Sequence, residues 1–254
     1  MLNELIDICI LTHKPILEIY NNPSMWNIEN KNDNSPLTAA DKVSNRIICE
    51  NLSKLYPDIP IISEENKSIP YEVRKTYKQY WLIDPIDGTK EFLKRNGEFT
   101  VNVALIEDNK PVMGVVTIPC QDLVYYASKR NGAFKLDLKT SIVEQLYVNT
   151  KSNKDALRIV CSNSHMSDET RVYISKYDKY ETVSVGSSIK FLLVAEGKAD
   201  LYPRFAYTME WDTGASQIIV EEAGGSIVTA ENKAMQYNKE NLLNPFFICS
   251  CKFV

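Results

Sequence analysis

The chain has 254 residues, enough for one large domain or two intimately packed ones with ample core. Hydrophobic residues make up 44% and charged residues 24%, an ordinary balance for a soluble globular protein. The net charge of −4 argues against a general nucleic-acid binder, which carries a basic face, but allows an anionic substrate wherever bound cations invert the local field.

Residues 2–20 read as a helix, broken or kinked near Pro15. A polar loop at 30–36 follows, and Thr38 then caps a long helix reaching about Leu55. Residues 60–62 form a short apolar strand, and Trp81-Leu82-Ile83 a buried strand stopping at Asp84. A short helix suits 89–95. Strands at 100–106 and 111–118 flank Asp108-Asn109-Lys110, a hairpin signal, and another strand covers 123–127. The stretch 136–153 is polar and irregular, which divides the chain into an N-terminal α+β half (1–140) and a C-terminal α/β half (141–254). In the second half, 158–161 begins as a strand. A helix starts at Gly186-Ser187-Ser188 and stops at Gly197, and 200–205 is extended. A helix beginning at Asp212 ends at Gly224-Gly225, and strands at 227–228 and 246–250 close the chain. This mixture implies stacked sheets with helices between them.

No apolar stretch approaches a membrane span, and the N-terminus lacks a secretory pattern. The 6 cysteines are scattered without a Cys-x-x-Cys, as expected of reduced residues in a cytoplasmic protein. With only 2 histidines, His13 and His165, the chemistry must rest mainly on carboxylates.

Asp84-Pro85-Ile86-Asp87-Gly88-Thr89 packs two acids, a hydroxyl and a glycine into six residues at the end of an apolar run. Asp then Pro favours a turn, which would bring its first and fourth residues together. Two convergent carboxylates repel unless a cation lies between them, and a hard divalent ion suits all-oxygen ligands. An ordinary surface turn is the competing reading. An EF-hand is excluded because its twelfth position holds Arg95, and a P-loop because Gly88-Thr89-Lys90 lacks the earlier glycine and spacer. Three further acids also sit at element ends: Asp41 in a first helical turn, Glu64 after a strand and Asp212 at a helix start. Each has a structural explanation when taken alone.

Taken together and in order, Thr38-Ala39-Ala40-Asp41, Ser63-Glu64-Glu65-Asn66, Asp84 to Thr89 and Trp211-Asp212-Thr213-Gly214-Ala215 resemble the inositol monophosphatase superfamily of metal-dependent, lithium-sensitive phosphomonoesterases. Asp33 to Thr38, Asp87 to Phe99, Gly186 to Phe191 and Leu201 to Phe205 resemble one branch of it, the 3′(2′),5′-bisphosphate nucleotidases of the bacterial CysQ type.

The resemblance implies a layered α/β/α/β/α sandwich with the site between its halves. It also implies two or three Mg²⁺ ions held by Glu64, Asp84, Asp87, Asp212 and the carbonyl of Ile86. Asp41 and Thr89 would orient and deprotonate the attacking water. Ile86, Asp87, Gly88 and Thr89, with Glu64 and Asp212, would surround the scissile phosphate. His165, Ser187, Lys190 and Arg204 would hold the nucleotide side. The implied substrate is the small molecule adenosine 3′,5′-bisphosphate, hydrolysed to AMP and phosphate as part of sulfur metabolism, with its sulfated precursor (PAPS, giving APS) as a second. Relatives are also described at the cytoplasmic face of the inner membrane. An inositol or sugar monophosphatase, or a non-catalytic metal- or nucleotide-binding regulator, would share parts of this pattern.

Overall fold

The structure, a computed structural model, describes residues 1–30, 36–150, 156–161 and 166–251. Strands Ile61–Ser63, Gln79–Asp87, Thr100–Glu107, Lys110–Ile118, Leu123–Ser128, Ala133–Asp137 and Ile142–Gln145 lie side by side in chain order as one sheet. Its first pair is parallel and every later pair antiparallel. Successive side chains of a strand point to opposite faces. Trp81, Ile83, Val101, Val103 and Leu105 therefore enter one core, and Tyr80, Leu82, Ala104 and Ile106 another. Burial on both faces is why these strands read as unbroken apolar runs rather than alternating ones.

Helices Leu2–Leu11, His13–Asn21 and Ala39–Leu55 cover the first face through Leu5, Ile16, Ile48 and Leu52. Helices Ile189–Ala195 and Glu210–Glu222 cover the second through Leu192, Ile218 and Ile219. Beyond them lies a five-stranded sheet in the order Tyr180–Ser184, Leu157–Cys161, Leu201–Arg204, Phe247–Ser250, Ser226–Thr229. Val160, Tyr202 and Cys249 face the inner helices, while Ile159, Leu201 and Ile248 pack outward with Ile174 of the Asp168–Ile174 helix. The layers thus run α/β/α/β/α, as expected. The central helix lies so close to the large sheet that a Cβ on Gly114 would stand 2.5 Å from the Ala215 carbonyl oxygen.

Some elements differ from the sequence expectation. The first helix breaks at Thr12, three residues before Pro15. A proline has no N–H for the carbonyl four residues back and its ring crowds that carbonyl, so the break falls in the preceding turn. The hairpin turns on Asp108 and Asn109, both with positive φ, and Lys110 already pairs with Glu107. The stretch 136–153 contains ordered sheet, since Ile142–Gln145 pairs with Ala133–Asp137. That edge strand is exposed along its length, so it carries no apolar signature. The large sheet therefore extends five residues past the division at 140, and one core cluster draws on residues from both halves. Among the described residues, no helix is long and apolar enough to cross a membrane.

Candidate active site

Asp84 and Asp87 converge by a device other than the expected turn. The strand does not stop at Asp84 but continues to Asp87, with Asp84 opposite Asn102 and Asp87 opposite Thr100. Three steps along one strand face two along its neighbour, which is a one-residue bulge. The extra residue reverses the in–out parity, so residues three apart share a face. Pro85 is tolerated within the bulge, where the ladder needs no N–H from it. The Ile86 amide donates to Asp84 Oδ1 at 3.1 Å, holding the turned-in carboxylate.

Asp212 arrives from the first turn of the Glu210–Glu222 helix, where its Oδ2 accepts the Met209 amide at 2.8 Å. Oxygens of Asp84, Asp87 and Asp212 lie within 4.8 Å of one another. Glu64 follows the Ile61–Ser63 strand, and its amide donates to the Ile83 carbonyl at 3.1 Å. Burial, then the charges of Glu64, Asp87 and Asp212, push the Asp84 carboxyl well above the usual range. Burial, then Asp87, does the same to Asp212. An all-oxygen set, buried at Asp84 and half-buried at its other members, whose charges repel one another fits a hard divalent cation.

Asp41 is third in the Ala39–Leu55 helix and 1% exposed. Its Oδ2 accepts the Thr38 amide at 2.7 Å and the Thr38 hydroxyl at 2.5 Å, a capping box with Asp in the acid position. Its Oδ1 accepts the Thr89 hydroxyl at 3.3 Å, and that hydroxyl is 3.4 Å from the Ile86 carbonyl oxygen. The Ser44 hydroxyl donates to the Pro85 carbonyl at 2.8 Å, tying this helix to the bulge. Gly88 turns the chain with φ +92 into the short Thr89–Leu93 helix.

A cavity of about 260 Å³ opens beside Asp87 and Asp212, lined also by Lys190, Tyr202, Arg204 and Tyr207. Lys190 is 6% exposed, so it is not a solvated surface charge. Its Nζ donates to the carbonyls of Ser187 at 2.8 Å and Val185 at 3.3 Å, and sits 5.5 Å from the Tyr202 ring centre. Burial pushes its ammonium down to about 8, Asp87 opposing that shift and Arg204 adding to it. Arg204 Nε is buried with no hydrogen-bond partner among the described residues. Tyr207 is 75% exposed at the rim. His165 lies outside the described residues.

The Ser187 hydroxyl, expected on the substrate side, donates to Asp87 Oδ2 at 2.7 Å. Sequence reasoning missed the neighbours that share this network: Thr100, Asn102 and Ser188. The available signal was polar Asn102 inside an otherwise apolar run, buried to 1% exposure.

A model of the inositol monophosphatase family matches residues 9–247. The 3′(2′),5′-bisphosphate nucleotidase CysQ of Salmonella typhimurium is 44% identical over 91% of this chain and 92% of its own. The protein of that name from Haemophilus influenzae is 37% identical over 98% of this chain and 91% of its own. The crystal structure of CysQ from Bacteroides thetaiotaomicron, a bacterial member of the inositol monophosphatase family, matches with a TM-score of 0.83 at 40% identity, covering 98% of this chain and 96% of that one.

Proposed function

This chain belongs to the inositol monophosphatase family, and from that membership and the site's geometry we propose that it is a divalent-metal-dependent 3′(2′),5′-bisphosphate nucleotidase. It hydrolyses adenosine 3′,5′-bisphosphate to AMP and phosphate, and its sulfated precursor is a second substrate. The observation that carries the reading is one cavity lined both by Asp87 and Asp212, whose oxygens cluster with those of Asp84, and by buried Lys190 with Arg204. A monophosphate needs only the first; a second phosphate needs the second.

The ligands proposed for two or three Mg²⁺ ions are Glu64, Asp84, Asp87, Asp212 and the Ile86 carbonyl. Held there, such ions supply Lewis-acid stabilisation of the phosphoryl oxygens. Unaided phosphate monoesters hydrolyse so slowly that catalysis must supply up to about 10²¹-fold. The chain's own part begins with the proton. Because Asp41 Oδ2 is engaged by Thr38, Oδ1 is the oxygen that takes the Thr89 hydroxyl proton, while Thr89 Oγ1 accepts one from the attacking water. The water oxygen bonds to phosphorus as the bond to the ribose 3′-oxygen breaks; the leaving oxygen takes a proton from solvent water to become the hydroxyl of AMP, and Asp41 returns its own proton to solvent. The Gly88 and Thr89 amides would stand beside the transferred phosphate. Lys190 and Arg204 grip the 5′-phosphate, with Ser187 at the same wall and His165 at the nucleotide side, and the Tyr207 ring offers a flat face for the base.

Phosphate release with Mg²⁺ from adenosine 3′,5′-bisphosphate, its sulfated precursor and inositol 1-phosphate tests the reading. The bisphosphate should turn over fastest, and millimolar lithium should inhibit it. A clear inositol preference overturns the substrate, and tight nucleotide binding without turnover overturns catalysis.

A further inference from the structure

We propose that Thr100, Asn102, Ser187 and Ser188 form a clamp across the two halves of the fold that positions the Asp87 carboxylate. The inference rests on the reading of Asp87 as a metal ligand. The Ser187 and Ser188 hydroxyls both donate to the same oxygen, Asp87 Oδ2, at 2.7 Å. Asn102 Nδ2 donates to Ser188 Oγ at 3.0 Å, and Asn102 Oδ1 accepts the Thr100 hydroxyl at 3.0 Å. Thr100 Oγ1 also lies 2.7 Å from Ser187 Oγ, where either hydroxyl can donate in place of its other bond, so the contacts close into a ring through Asp87. Ser188 Oγ is also 3.2 Å from the Asp212 carbonyl oxygen, so one hydroxyl touches the segments carrying two of the carboxylates.

Three members of the ring are buried, Thr100 at 0% and Asn102 and Ser188 at 1% exposure, while Ser187 is half-buried. Buried polar groups are costly unless satisfied, and an apolar strand gains nothing from an amide at position 102 by itself. The backbone is bent to make the contact. Ser187 holds φ +55, a left-handed conformation unfavourable for a residue with a side chain. A Cβ on Gly186 would stand 2.6 Å from Glu91 Cγ, and one on Gly88 3.2 Å from Ser187 Cβ. Two glycines thus let the loops of the two halves touch where the ring forms. With Oδ2 held by two hydroxyls, Asp87 presents Oδ1 in one orientation, the supporting role that outer groups play around a metal ligand.

The test uses the full chain and the variants Ser188→Ala, Thr100→Val and Thr100→Ser. Thermal stabilisation is titrated with Mg²⁺ alone, and kcat and KM are then measured on adenosine 3′,5′-bisphosphate. Ser188→Ala and Thr100→Val should raise the half-stabilising Mg²⁺ concentration by about 10–100-fold. They should lower kcat at a fixed Mg²⁺ concentration and leave KM nearly unchanged. Thr100→Ser, which keeps the hydroxyl, should restore the wild-type titration. Unchanged titrations in both loss variants overturn the proposal, as does a rise confined to KM, which would assign these hydroxyls to substrate. Thr100→Ser as impaired as Thr100→Val also overturns it. The titration needs no substrate, so a normal ion response that the loss variants weaken, in a protein that does not hydrolyse the bisphosphate, supports the clamp and overturns only the substrate reading.

Discussion

Around the acidic cluster, Asp41, Asp84 and Asp212 are held by backbone donors at places where elements begin or bulge, and Asp87 by two serine hydroxyls. Asp41 and Asp212 accept amides from the residues that start their helices, and Asp84 accepts the amide of Ile86 inside the bulge. At the basic end the arrangement is reversed, because Lys190 is buried and donates to two loop carbonyls. Acids at helix starts are also structural caps, so they stay in place without a cation. A buried ammonium against neutral carbonyls keeps its charge only partly satisfied, and it is drawn toward an anion. On the proposed reading, the acids would receive a cation and Lys190 with Arg204 a second phosphate.

That contrast can be broken residue by residue. Asp87→Asn should do most, because it removes a charge from the carboxylate group without changing shape. We expect kcat on adenosine 3′,5′-bisphosphate to fall by about 10³-fold or more, as when several kcal/mol of charge stabilisation are lost. Comparable turnover in the variant and the wild type would remove Asp87 from the mechanism. Asp41→Asn keeps an oxygen for the Thr38 cap but is a far weaker proton acceptor. It should lower kcat by about 10²-fold with little change in melting temperature. A loss of stability matching the loss of rate would reduce Asp41 to its capping role.

At the basic end, Arg204→Met should raise KM for the bisphosphate by about 10–100-fold, the worth of a hydrogen bond to a charged group. Its kcat, and its activity on a substrate lacking the 5′-phosphate, should change little. Equal losses on both substrates would place Arg204 at the reacting phosphate instead.

The smallest effect sharpens the comparison with a buried base that has no such support. His13 is 6% exposed, and neither ring nitrogen has a hydrogen-bond partner among the described residues. Burial pushes its pKa down from 6.5 to about 4, with Asp122 opposing. Between those values the unfolded chain binds a proton that the folded chain refuses, so stability falls as pH drops through that window. The slope is about 1.4 kcal/mol per pH unit from this one group. His13→Leu should therefore gain stability relative to wild type between pH 7 and pH 5, read from urea midpoints. An unchanged difference would show that His13 is charged or hydrated in the folded state.

The acids of the site stood out locally because each sits beside a signal, a cap, an apolar run that ends or a Gly after Asp, but only the resemblance of their ordered motifs to a family read them as one site. Lys190 and Arg204 carried no such signal and depended on resemblance. The Thr100–Asn102–Ser187–Ser188 ring was not legible, since nothing near Asn102 announces a serine 86 positions away. The Ile142–Gln145 strand escaped for the opposite reason, because an edge strand exposed on both sides need not be apolar.

The amino-acid order alone determined the doubly buried central strands and the two helix starts, because these follow from side-chain periodicity and from hydrogen bonds spanning three residues, whereas the choice of acids for the site came from the resemblance of their ordered motifs to a family. Tertiary structure decided how those acids meet. A one-residue bulge, set by pairing with a neighbouring strand, turned Asp84 and Asp87 to the same side. Packing of the second sheet's helices delivered Asp212, Ser188 and Lys190 to the same cavity. Register across a strand pair and contact between distant loops are properties of the assembled layers, and no local stretch of sequence encodes them.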